Sequence, residues 1–286
     1  MHMILKGAAG AGMLALLMSL PTAAPVVAQQ APAANDNLNA TVWMQRSVEY
    51  KATTAAAYKL AEIMLDRALA DRSWTAALEQ GDGYEGKPPA VILDVDETVL
   101  DNSDYQAWMV RTGNGFRSKT WGAFVNTVTS RPIPGSLAFT KYAASKGVKV
   151  FYVSNRNADL EEATRKNLAM FGYPVASDVD VVLLRKERSN WGSKKGNRRA
   201  LVAEDYRILL LLGDNFGDFV DGYKASPEER LKLMAEHEDM WAEKWIMLPN
   251  PTYGSWESAG YGFNYKLSGE EKRAAKLERV SSWAGP

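Results

Sequence analysis

Cysteine is absent from all 286 residues, and histidine occurs only at His2 and His237. No disulfide can staple the fold, so a packed core must hold it. No thiolate can bind a metal or attack a substrate, and no cysteine can carry a lipid. His2 lies in the apolar N-terminal stretch. His237 falls in a charged run, residues 227–244, that reads as a solvated helix face. A histidine-based zinc site or a histidine nucleophile is therefore excluded as an expectation, and any metal site must be built from oxygen. Neither charge is in excess, with Lys+Arg and Asp+Glu at 34 each. That balance offers no basic surface for a long phosphate backbone, so nucleic acid is not an expected partner. A hydrophobic content of 46% excludes wholesale disorder.

Long apolar runs are also missing, apart from one at the start. Lys6 precedes an uncharged stretch, residues 7–20, rich in Ala, Leu and Met; Pro21 and Pro25 interrupt it, and Val26-Val27-Ala28 offers small residues for cleavage. Residues 1–28 read as a cleaved signal rather than a membrane anchor. Residues 29–39 read as a flexible leader rich in Ala and Pro. Export to the periplasm or medium, with no stable membrane anchor after cleavage, is the expectation.

Beyond the leader, residues 40–286 read as one domain. Residues 40–80 carry helical periodicity for two helices or one bent one, and residues 81–89 are a Gly/Pro-dense loop. Short apolar runs at 90–93, 148–153, 179–184 and 208–212, with a further candidate at 245–248, predict strands. Helical segments are expected at 136–146 (with Ser136 as cap), 159–171, 196–204, 227–243 and 270–280. Strands alternating with helices predict an α/β fold with a parallel sheet. Residues 105–129 are longer than a plain crossover and read as a small cap.

The first strand runs into Asp94-Val95-Asp96-Glu97-Thr98. Acids placed there emerge at the carboxyl end of a strand, where open α/β sheets bind ligands. At about 4 Å and an effective dielectric of about 20, two such charges repel by roughly 4 kcal/mol. A divalent cation offsets that cost, and an all-oxygen donor set suggests Mg²⁺. The second strand delivers Ser154, Asn155 and Arg156. The segment after the third offers Lys186, Lys194 and Lys195, and the fourth delivers Asp214 and Asp218 in the phrase G-D-N-F-G-D-F. A nucleophile, a cation and donors for charged oxygens are what phosphoryl transfer requires.

In that order, D-x-D-x-T, Ser, Lys and G-D-x-x-x-D, the chain resembles the haloacid dehalogenase superfamily. Residues 94–102, Ser154-Asn155-Arg156, the spacing Ser193-x-Lys195-x-x-Arg198, residues 213–219 and Leu248-Pro249-Asn250-Pro251-x-Tyr253-Gly254 further resemble the class C acid phosphatases, or outer-membrane lipoprotein e type of 5′-nucleotidase. The resemblance implies a three-layer, Rossmann-like parallel sheet with N-terminal helices and a small helical cap. It implies Asp94 as nucleophile and Asp96 as general acid and base. Ser154 and Lys195 would act on the phosphate, with Lys186 and Lys194 left as alternatives for the motif lysine. The implied Mg²⁺ ligands are Asp94, the Asp96 backbone carbonyl and Asp214, with Asp218 in support. Asn155, Arg156 and the aromatic rings of Trp121 and Tyr253 would contact substrate, Tyr253 from an exposed loop. The implied activity is hydrolysis of phosphate monoesters, nucleoside 5′-monophosphates or nicotinamide mononucleotide among them, through an aspartyl phosphate. A homodimer is implied as well. The rival reading is a catalytically inactive phosphate-ester-binding or storage protein of the same fold. Members of the lipoprotein e type often carry a lipidated cysteine, which this chain lacks.

Overall fold

The computed structural model describes residues 35–285; the expected signal segment, and the leader up to residue 34, lie outside them. In chain order the elements are α1 (Leu38–Arg46), α2 (Val48–Ala70), β1 (Pro89–Leu93), β2 (Leu100–Asp101), α3 (Ser103–Thr112), α4 (Ser118–Val125), β3 (Arg131–Pro132), α5 (Ser136–Ser145) and β4 (Lys149–Asn157). They continue with α6 (Glu161–Phe171), β5 (Val182–Arg185), α7 (Gly196–Asp205), β6 (Arg207–Gly213), α8 (Pro227–Ala235), β7 (Trp245–Met247), α9 (Ser255–Gly260) and α10 (Gly269–Leu277).

Five strands pair in parallel in the order β5-β4-β1-β6-β7. All seven residues of β6 are buried, and so are four of the five in β1. That is why these strands appear in sequence as unbroken apolar runs: a central parallel strand is covered on both faces. Helix α2 packs on β6 and β7 and beside α5, which itself lies on β4. From β1 the chain passes outward to β4 and β5, then returns to β6 on the other side of β1. The crevice at the carboxyl ends of β1 and β6 is thus a topological switch point, where α/β sheets bind ligands.

Several local expectations need correction. The leader does not extend to residue 39: residues 36–37 form a turn, α1 begins at Leu38, and Asp36 pairs with Arg273 at 2.9 Å. Of the two readings of residues 40–80, two helices is the one found; they meet at Ser47, but the second ends at Ala70 rather than near residue 80. Ser47 is extended and its hydroxyl accepts the Tyr50 N–H, so it caps α2 and breaks α1. The cap of α5 is Gly135, not Ser136. Gly135 holds φ 95°, and a side chain there would strike the Tyr58 ring. The third strand starts at Val182 rather than Val179. The helix from Pro227 stops at Ala235, so His237 lies beyond it, half-buried with its ring 5.2 Å from that of Trp245.

Residues between β2 and β3 form the cap. The two-residue strands β2 and β3 pair antiparallel at its base. Helices α3 and α4 rise from them, and Trp121 and Phe124 pack with Val125, Leu160 and Ala163 in a small apolar cluster separate from the main core.

Candidate functional site

After Leu93 the backbone turns sharply. Glu97 adopts φ 58°, a left-handed conformation that costs an ordinary residue about 1–3 kcal/mol. Local hydrogen bonds offset that strain: Leu100 N–H donates to Val95 C=O at 2.8 Å and Glu97 N–H to Leu100 C=O at 2.9 Å. Asp94 N–H donates to Leu212 C=O at 2.9 Å, which draws the first acid against the end of β6. Asp214 follows β6 directly. Asp218 folds back over Gly213, where any side chain would collide with its carboxylate and Cβ. Its carboxylate accepts the Asn215 N–H at 2.9 Å.

Asp94, Asp214 and Asp218 therefore converge. Each can present a carboxylate oxygen within 4.8 Å of the others, and all three residues are buried. Lys195, 2% exposed, places its ammonium on Asp94 and 2.7 Å from Asp218. Lys186 and Lys194 are exposed, so Lys195 is the lysine that the fold brings to the acids. Arg198 supports this loop from within, donating to the carbonyls of Ser154 and Lys194 and to the Asn155 side chain.

The electrostatics follow from crowding. Burial, with the negative charges of Asp218 and Asp96, pushes the Asp94 carboxyl up to about 7 despite the Lys195 charge. Burial raises Asp214 well above the carboxylate range, and Asp218 and Asp94 add to it. For Lys195, burial disfavours the charge, but Asp218 and Asp94 outweigh it and the net shift is upward. Three buried acids facing one ammonium leave unbalanced negative charge. An all-oxygen donor set with that imbalance suits a hard divalent cation.

Asp96 points away from this cluster. Its carboxylate accepts from Arg156 (Nη2 at 2.8 Å, Nε at 3.0 Å), from Asn102 Nδ2 at 2.9 Å and from Ser154 Oγ at 3.4 Å. Arg156 is buried, and its guanidinium is shared between Asp96 and Thr164. Asn155 donates to Ser193 C=O at 3.0 Å and accepts from Arg198. In this structure both side chains bond to protein partners, Arg156 buried and Asn155 exposed. Tyr253 is half-buried rather than exposed, and its hydroxyl donates to Glu97. Trp121 is half-buried among Tyr105, Phe116 and Phe124, with the Arg156 guanidinium 5.7 Å over its ring.

Sequence reasoning missed several participants. Asn250 donates to Asp214 at 2.9 Å, and Thr98 does so at 3.2 Å. Glu97, 0% exposed and pushed up to about 8 by burial and by Asp96, accepts from Tyr253 and from the Asn102 backbone. Asn102 and Asn250 stand inside the motif phrases, so a signal for them existed. Glu79, which pairs with the buried Arg199 at 2.6 Å, lies in a loop with no motif at all.

Acids gathered at the switch point of a parallel sheet, with a buried lysine on the first, define a haloacid-dehalogenase-type α/β protein. Residues 16–256 match the family model for HAD superfamily, subfamily IIIB (acid phosphatase). The chain belongs to that family. It is also similar to the class C acid phosphatase from Bacillus anthracis, at 36% identity and TM-score 0.76, over 86% of this chain and 97% of that one. A second structure of that enzyme, with tungstate bound, aligns with TM-score 0.75 at 36% identity, again over 86% and 97%. Among curated relatives, the stem 28 kDa glycoprotein of Glycine max is 23% identical over 168 residues, 57% of this chain and 58% of that protein. A stem 31 kDa glycoprotein of Glycine max is 24% identical over 139 residues, 46% of each chain. The match thus spans about half the length of these curated relatives.

Proposed function

We propose that this protein is a divalent-metal-dependent phosphoric monoester hydrolase, an acid phosphatase acting on small phosphate esters. The observation that carries the reading is the convergence of Asp94, Asp214 and Asp218 with Lys195 on the first and third of them. Family membership supports it. So does the tungstate bound to the Bacillus anthracis enzyme, since tungstate is a tetrahedral oxyanion like phosphate.

Asp94, Asp214 and Asp218 would hold the cation, with Mg²⁺ the proposed ion. When bound, it neutralises acid and phosphate charge and lets the two approach. An Asp94 carboxylate oxygen attacks phosphorus, and the bond from phosphorus to the ester oxygen breaks. Asp96 gives its proton to the departing oxygen, so the alcohol leaves neutral. Asp96 then takes a proton from water as that water attacks the aspartyl phosphate, releasing inorganic phosphate and restoring Asp94. Ser154 and Lys195 hold the phosphate oxygens, and Lys195 keeps Asp94 aimed.

In this reading Trp121 and Tyr253 would supply ring faces for a nucleobase or nicotinamide. Nucleoside 5′-monophosphates and nicotinamide mononucleotide are the proposed substrates. In this reading residues 1–28 direct export to the periplasm or the medium. Among the described residues no helix is long and apolar enough to cross a membrane.

The test is a panel of phosphate monoesters assayed with Mg²⁺ and with excess chelator. Hydrolysis that needs the cation and disappears in Asp94→Asn is expected. Full turnover in chelator, or in Asp94→Asn, overturns the mechanism.

A further inference from the structure

Asn102 occupies the N-cap of α3, a position at which asparagine ordinarily bonds the free N–H groups of the first turn. Here its side chain makes no such bond, and the Asp101 carboxylate takes the Ser103 N–H at 2.8 Å. The amide of Asn102 is instead turned inward and is 0% exposed. Nδ2 donates to Asp96 Oδ1 at 2.9 Å, to Glu97 Oε2 at 3.3 Å and to Leu100 C=O at 3.2 Å. Oδ1 accepts from Ser130 Oγ at 2.7 Å and from Arg156 Nη2 at 3.5 Å. Donors on one side and carboxylates on the other fix which way the amide faces.

One buried amide thus bonds to Glu97 on one side and Arg156 on the other. Through Glu97 it reaches Tyr253. Through Arg156 it reaches the Trp121 ring, 5.7 Å from the guanidinium. Between them lies Asp96, whose Oδ1 is shared by Asn102 and Arg156. Diverting a good capping residue from its helix costs local stability, which places the benefit at the site.

We infer that Asn102 is a positioning residue for Asp96, holding its carboxyl in register with the ester oxygen of a substrate lodged between the two aromatic arms. Ser130 completes the device by locking the amide from behind. The inference rests on the hydrolase reading above and adds to it a dependence on the leaving group. Asp96 protonates the departing oxygen, so misplacing it harms an ester whose alcohol is a poor leaving group. It harms little an ester such as p-nitrophenyl phosphate, whose anion departs without a proton.

The experiment measures kcat for a nucleoside 5′-monophosphate and for p-nitrophenyl phosphate with wild type, Asn102→Ala and Ser130→Ala, in Mg²⁺. General acid catalysis contributes about 100-fold or more. Asn102→Ala should accordingly lose about 100-fold on the nucleotide and about 10-fold or less on the aryl ester. Ser130→Ala, which leaves every group on Asp96 in place, should show the same imbalance to a smaller extent, and it reads the proposal even if Asn102→Ala fails to fold. Equal losses on the two esters in either folded variant overturn the assignment. Wild type inactive on both esters overturns the hydrolase reading itself, a different outcome from a balanced loss.

Discussion

The ammonium of Lys195 bridges the carboxylates of Asp94 and Asp218, contacting the first and lying 2.7 Å from the second, in a pocket that leaves the lysine 2% exposed. It is the only basic side chain paired with this acidic cluster among the described residues. Removing it uncouples the orientation of Asp94 from the fold. Lys195→Met should lower kcat by about 100-fold or more, on the scale of lost electrostatic stabilisation at a reacting centre. Steady-state kinetics check this, and a change of less than threefold would refute the role.

Asp94→Asn separates chemistry from stability. The amide has the same shape but carries no charge, so it relieves repulsion with Asp214 and Asp218. In chelator its thermal midpoint should equal or exceed that of wild type, while turnover disappears. A variant that is both inactive and markedly less stable would point to a structural role instead.

The acidic cluster makes stability depend on pH in a defined direction. Asp94 is pushed from 3.8 to about 7 and Glu97 from 4.5 to about 8, both by burial first. Between the ordinary and shifted values the folded protein holds protons that the unfolded chain has released. Stability without metal is therefore greatest below about pH 4 as far as these groups act, and falls as pH rises toward 8. Calorimetry in chelator should show the midpoint dropping from pH 5 to pH 8. Added Mg²⁺ should raise it more at pH 8 than at pH 5, because the cation competes with protons for the same oxygens. A midpoint that rises over that range in chelator would contradict the burial argument.

The two aromatic arms should differ in their response. Trp121→Ala removes a ring face worth about 1–3 kcal/mol to a stacked base. KM for a nucleoside 5′-monophosphate should rise by about 10-fold, with glycerol phosphate nearly unaffected. Tyr253→Phe keeps its ring but strips a hydrogen bond from buried Glu97, a change costing about 1–3 kcal/mol of stability. Its thermal midpoint should fall while KM changes little. Equal KM effects of Trp121→Ala on both esters would remove the stacking argument.

Arg199 offers a structural contrast. It is 0% exposed, pairs with Glu79 at 2.6 Å and donates to the Asp218 carbonyl at 2.9 Å. Breaking a buried ion pair from one side costs about 3–5 kcal/mol. Arg199→Ala should unfold at clearly lower denaturant, and a shift within experimental scatter would show the pair to be dispensable.

The order of elements was legible because strand and helix differ in apolar period, and because central strands such as β6 read as unbroken apolar runs. The acids of the site were legible for a related reason: each stands just past such a run, where a parallel sheet opens to solvent. Ser136 as a cap and His237 as a solvated helix residue were misread. The cap at Gly135 and the half-buried ring of His237 each depend on a neighbour distant in sequence, Tyr58 for the first and Trp245 for the second. The protein partners of Asn155 and Arg156 were hidden likewise, since a polar side chain at a strand end looks the same whether or not another element bonds to it.

By itself the sequence determined the alternation of strands and helices, the oxygen-only chemistry forced by missing cysteine and scarce histidine, and which carboxylates follow which strands. Those properties are carried by neighbours along the chain. Tertiary structure decided which lysine meets Asp94 across 101 residues, that Tyr253 reaches back 156 residues to Glu97, and that Asn102 turns from its helix toward Asp96. It also decided how far the buried acids shift, because desolvation and charge crowding exist only once distant segments have packed together.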